Sequence, residues 1–171
     1  MQNLLHRINS SRKEAHIAVD RIFDNLEKDL SGDSLTDFYN PDLPTSKFEW
    51  LKSKIILKIF FDLLFQNHLL RCEFETFKSH FEEGIKITKH IIWYGNANEL
   101  VYLLHRLYDE GIILKPSFPN KRIQEHFLNQ SRREISLECL RSSLNKGVRK
   151  AERLIMLDGI VVVLLNHSNK S

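Results

Sequence analysis

The chain predicts a mainly α fold: an N-terminal long-helix hairpin over residues 1–83, then a C-terminal helical module over residues 84–171. That module has helix-turn-helix or winged-helix-like order, with one or two short strands. Three observations predict this class. Six Gly and four Pro in 171 residues leave long stretches without punctuation, which favours helices over many short strands. Leucine- and isoleucine-rich segments recur at steps of three and four. Clusters of β-formers are few and short: Ile85–Tyr94, Ile112–Leu114 and the ambiguous Ile160–Leu165. An apolar fraction of 42% is ordinary for a globular chain and argues against wholesale disorder.

Residues 1–30 read as one helix. Met1, Leu5, Ile8, Arg12, Ala15, Val19, Ile22 and Leu26 alternate in steps of four and three, and all but Arg12 are apolar. This is the seam pattern of a coiled coil, so the stripe needs a partner. Leu5, Ile8, Ala15, Val19, Ile22 and Leu26 would meet either a helix of the same chain or a second copy. Residues 31–46, SGDSLTDFYNPDLPTS, read as a loop. Ser46 and Glu49 then have capping-box spacing. They would open a helix over Trp50–Leu70 that is apolar nearly all round, as a helix buried on most sides should be. A shorter helix over Glu73–Glu83 ends near Gly84.

Ile85 to Tyr94 reads as a strand, and Gly95-Asn96 as a turn. Asn96 and Glu99 repeat the capping-box spacing before a helix over Asn98–Glu110. Its Leu100, Leu103, Leu104, Leu107 and Tyr108 share one face, and Gly111 stands at the left-handed C-cap position. Ile112–Leu114 reads as a short apolar strand or a segment that enters the core. Further helices are expected over Lys121–Asn129, over Ser136–Asn145 with Ser136 as N-cap, and over residues 148–157. Periodicity leaves Ile160–Leu165 open between a strand and a buried helical turn.

No sequence signal for chemistry stands out. The eight histidines form no HxH or HxxxH pair, and Cys72 and Cys139 match no metal or disulfide spacing, so neither a metal nor a cofactor is expected. Phosphate-loop, dinucleotide and nucleophile-elbow motifs are absent from the sequence. The chain is therefore expected not to be an enzyme. His105 and His126 are expected as helix-surface or half-buried residues, and Cys139 as a buried structural thiol. The longest apolar run, Ile160–Leu165, is far short of the roughly 20 residues that span a bilayer. The N-terminus shows no apolar run of signal-peptide length. With two cysteines, a reducing, cytoplasmic setting is the simplest expectation.

The net charge of +3 is unevenly placed. From Gly111 onward there are eleven Lys and Arg against five Asp and Glu, a net of +6, which leaves −3 for the first 110 residues. A basic segment is the electrostatic footprint of a polyanion partner. The cations flank the expected helices: Lys121 and Arg122, then Arg132 and Arg133 in a connection, Arg141 on the next helix, and Lys146, Arg149 and Lys150 after it. In a helix-turn-helix arrangement, Arg141, Ser142 and Asn145 would face base edges. Arg132, Arg133, Arg149 and Lys150 would reach phosphates. The connection from Leu128 to Ile135 is about eight residues, against the roughly 3–4 of a simple helix-turn-helix.

The stretch Ile92-Trp93-Tyr94-Gly95-Asn96-Ala97-Asn98-Glu99-Leu100 runs into a leucine-rich helix closed by Gly111-Ile112-Ile113. Over residues 85–147 it resembles the RteC family, in which a Trp-x-Gly turn precedes such a helix. That family is linked to excision of conjugative transposons in Bacteroides-type bacteria. The resemblance implies a regulatory, mobile-element setting and supplies no catalytic residues. The expected function is a non-enzymatic, DNA-binding regulator. The alternative is a protein–protein adaptor acting through the N-terminal helices.

Overall fold

The computed structural model describes residues 42–168. The expected helix over residues 1–30, with its coiled-coil seam, lies outside the described residues, as does the first part of the loop that follows. The elements in order are α1 (Lys54–Gln66), α2 (Phe74–Ser79), β1 (Ile91–Trp93), α3 (Ala97–Asp109), α4 (Pro119–His126), β2 (Phe127–Asn129), α5 (Leu137–Lys146) and α6 (Ala151–Ser168). The described residues are mainly helical, with one two-stranded parallel sheet.

Helix α3 lies at the centre. Its Leu100, Leu103, Leu104, Leu107 and Tyr108 are buried, the face expected from their spacing, and Val101 is buried beside them. Each such side chain contributes about 2 kcal/mol through its removal from water. α3 packs against α5 and α6, and α6 packs against α1. Ile56, Phe60 and Phe77 belong to the same apolar cluster as Leu104, Ile112 and Leu164. The expected division between residues 83 and 84 therefore falls inside one packed body.

The helix ends were set by competition for backbone partners. The expected helix from Trp50 begins only at Lys54, and its N-cap is Ser53. The Ser46–Glu49 capping box does not form, because residues 48–51 are extended. Phe48 N–H donates to the His80 carbonyl, Leu51 N–H donates to that of Ile112, and Leu114 N–H donates to that of Glu49, all at 2.9 Å. α1 also stops early, and Leu70 bridges antiparallel to Trp93. Its surroundings are less complete than expected, since Ile55 is 74% exposed. Among residues 85–94 only Ile91–Trp93 is a strand.

The expected helix over Lys121–Asn129 ends at His126. Phe127, Leu128 and Asn129 pair instead with Ile91, Ile92 and Trp93, in parallel. A parallel pair needs a long crossover, and α3 and α4 supply it. Ser136 does cap α5, accepting the Cys139 N–H at 3.2 Å, and Gly147 ends it with φ +60°. α6 resolves the ambiguity of the last apolar run. It is one helix through Gly159, burying Leu157, Ile160, Val161 and Leu164.

The Trp-x-Gly turn has a steric basis. A Cβ on Gly95 would lie 2.8 Å from Trp93 Nε1. The indole N–H donates to the Asn96 carbonyl at 3.1 Å, and the Asn96 N–H donates to Glu99 at 3.2 Å. The Asn96–Glu99 capping box is present, as expected.

Candidate nucleic-acid interface

α5 is held on its inner side by Leu140 and Ser143, both buried. Ser143 Oγ donates to the Cys139 carbonyl at 2.7 Å, so this hydroxyl is satisfied within the helix. Arg141, Asn145 and Lys146 are exposed, on the side that the sequence assigned them. Ser142 is half-buried and donates to the Cys139 carbonyl at 3.0 Å. Cys139 itself is exposed and free, not the buried thiol expected. It lies off the Leu140 and Ser143 positions that face the core.

The segment before α5 is tightly built. Asn129 N–H donates to the Arg133 carbonyl, and Arg132 N–H donates to the Asn129 carbonyl, both at 2.8 Å. The Asn129 side-chain oxygen accepts the Ser131 and Arg133 N–H groups at 2.9 and 3.0 Å. Arg132 sits at the tip with φ +57°, a left-handed conformation that a non-glycine residue adopts at a cost of about 1–2 kcal/mol. Arg132 and Arg133 are both exposed. Arg149 and Lys150 are exposed in the short link to α6.

Six cations, Arg132, Arg133, Arg141, Lys146, Arg149 and Lys150, thus flank or ride on α5. Among the described residues none of them is in a salt bridge. Other cations are committed to the fold: Arg153 to Glu99, Arg106 to Glu110 and Asp158. The two expected site residues on α4 belong partly to that second group. Lys121 lies 3.9 Å from Glu125, and Arg122 donates to the Lys47 carbonyl at 2.9 Å. Glu134 and Glu138 are the carboxylates between Arg132 and Lys150, so residues 130–150 carry a net +4.

The connection from α4 to α5 spans residues 127–136 and includes β2. It is longer than the turn of a simple helix-turn-helix, which is about 3–4 residues.

The residues that sequence reasoning missed are His80 and His126. His126 is fully buried, not on the surface or half-buried, while His105 is half-buried as expected. His80 Nδ1 lies 2.7 Å from His126 Nδ1, and His80 Nε2 lies 2.9 Å from the Lys89 carbonyl. The two residues stand 46 apart in the chain, and no local spacing signals the contact.

A cavity of about 250 Å³ is lined by Phe48, Trp50, Leu57 and Phe81, with Lys54 and Glu82 on its polar side already paired to each other. Among the described residues, no group of three or more His, Cys, Asp and Glu is placed to hold a metal ion. Nor is any helix among them long and apolar enough to cross a membrane. No protein-family model, curated protein or solved structure matches the chain.

Proposed function

We propose that this protein is a non-enzymatic regulator that binds DNA through α5 and its two flanks. The observation that carries the reading is the set of six exposed cations that form no salt bridge among the described residues, gathered within nineteen residues of sequence. Exposed Arg and Lys gathered in one segment suit a phosphate backbone. The left-handed Arg132 adds to it. Backbone strain in an ordered turn persists only where the surroundings impose it, and such residues cluster at functional sites.

In this reading Arg132, Arg133, Arg149 and Lys150 hold phosphates, while Arg141, Asn145 and Lys146 stand nearest the bases. Lys121 and Arg122 lie at the edge of the surface and contribute less, because each already has a partner. The α4–α5 pair acts as a strand-interrupted relative of a helix-turn-helix. The mobile-element setting rests on the resemblance of residues 85–147 alone.

A gel-shift titration at low salt, on random duplex and on transposon-end duplex, tests the proposal. Binding to both is expected, with loss of at least about tenfold on combined Arg132→Ala, Arg133→Ala and Arg141→Ala substitution. Absence of binding at low salt, or binding indifferent to the three substitutions, overturns it.

A further inference from the structure

The contact between His80 and His126 fixes where its protons are. A carbonyl only accepts, so His80 Nε2, facing the Lys89 carbonyl, carries the hydrogen. A neutral imidazole has one N–H, so His80 Nδ1 is bare and accepts. His126 Nδ1, 2.7 Å away, must then be the donor, which leaves His126 Nε2 as a bare nitrogen. That nitrogen is buried and makes no hydrogen bond, although the Ser46 carbonyl nearby would favour a proton on this ring.

The pair joins three segments. His80 is the C-cap of α2, and its carbonyl accepts the Phe48 N–H. Lys89 lies two residues before β1. His126 is the last residue of α4, next to Phe127 of β2. The Phe48 ring lies tilted against His126 with centroids 4.6 Å apart.

We propose that the His80–His126 pair is an acid-sensitive latch, holding the end of α2 to the start of the β1–β2 sheet and opening when both rings are protonated. A proton on His126 can enter only at its Nε2. The Nδ1–H···Nδ1 bond survives that step, though a charge is now buried. The second proton can bind only at His80 Nδ1. Two N–H donors then face each other across 2.7 Å with no acceptor between them, and the contact must open.

The surroundings make each step costly. Lys47 and His90 act on His80, and His80, Arg122 and His90 act on His126; all disfavour added positive charge. The Ser46 carbonyl is the one group that favours a proton on His126. Glu134 acts on His90. Burial is the largest effect for both rings and pushes them below the ordinary histidine range, His80 to about 4. The unfolded chain takes up these protons near pH 6.5, more than two units above the value for His80 in the folded chain. The latch therefore contributes fully above that pH, and its contribution falls as the pH drops from there toward 4.

The test has two arms on the whole chain. In the unaltered protein, ¹⁵N spectra of the histidine side chains at pH 7 are expected to show His80 protonated at Nε2 and His126 at Nδ1. Both should stay neutral when exposed histidines titrate. The reverse tautomers, or ordinary titration of both rings, would overturn the latch. In the second arm, tryptophan emission is followed from pH 7 to pH 4, because Trp93 lies edge-on to Phe127 of β2. His126→Asn keeps an amide donor near the Nδ1 position but cannot take up a proton. It is expected to move the acid midpoint down by about one pH unit. An unmoved midpoint contradicts the proposal. The spectroscopic arm decides alone if the variant does not fold.

Discussion

Arg153 places Nε and Nη2 each 2.8 Å from a carboxylate oxygen of Glu99, which is 4% exposed. The same carboxylate accepts the Asn96 N–H, so one acidic side chain both caps α3 and anchors the first turn of α6. Tyr102 donating to Asp158 at 2.7 Å, and Arg106 at 3.4 Å from the same carboxylate, continue the seam between these helices. α6 thus reaches its place through a polar seam as well as its leucine face. Arg153→Met leaves the Glu99 charge buried without its partner. Chemical denaturation should show a loss of about 2–3 kcal/mol. Glu99→Gln, which retains a cap acceptor, should cost less. The hydrogen bonds from Arg153 hold the Glu99 carboxyl below its usual range. The stability it contributes is present above about pH 4.5 and declines as the pH falls further. A loss within about 0.5 kcal/mol for Arg153→Met would contradict this role.

Gly95 is required by closeness and not by a special backbone angle. Its missing Cβ would press on the Trp93 indole and on Glu99. Gly95→Ala should destabilise the protein by about 1–3 kcal/mol, as overpacking does, and shift the tryptophan emission. Stability equal to the parent protein would show that the turn relaxes without cost.

The two cysteines should separate cleanly by reactivity. Cys139 is exposed, whereas burial pushes the Cys72 thiol up to about 11. A thiol reagent at pH 8 should label one site rapidly and the other only slowly, with unfolding in denaturant equalising them. Cys139→Ser should remove the fast phase. Two fast sites would contradict the burial of Cys72.

Much of the helical part of the fold was legible because its signals are local. The Asn96–Glu99 box, the leucine face of α3, the Ser136 cap and the Gly111 and Gly147 stops are all set by spacing within a few residues. The failures share one cause. Residues 50–51, 69–70 and 127–129 left their expected helices to pair with chain far away in sequence. Such pairing is decided by tertiary context, which periodicity does not contain. The exposed cations of the candidate site were legible as charges on helix flanks. That Arg122 binds the Lys47 carbonyl, and that His80 meets His126, was not legible, because both depend on contacts across long separations.

Arg132 separates binding from stability. Glycine adopts φ +57° without the steric cost an arginine bears, so Arg132→Gly should leave stability unchanged or raise it by up to about 1 kcal/mol. DNA affinity should nevertheless fall. Loss of stability on this substitution, measured by thermal melting, would mean that the side chain holds the fold instead of a ligand.

The salt dependence of DNA binding tests the central claim most directly. Fluorescence anisotropy of a labelled duplex, followed over a range of salt, gives the slope of log K against log salt. Each phosphate contact contributes about −0.9 to that slope, so up to six contacts predict a value approaching about −5. The Arg132, Arg133 and Arg141 triple alanine variant should be shallower by about 3 units. A steep slope that the triple variant shares would place the contacts elsewhere, and a flat slope or no binding would contradict the account.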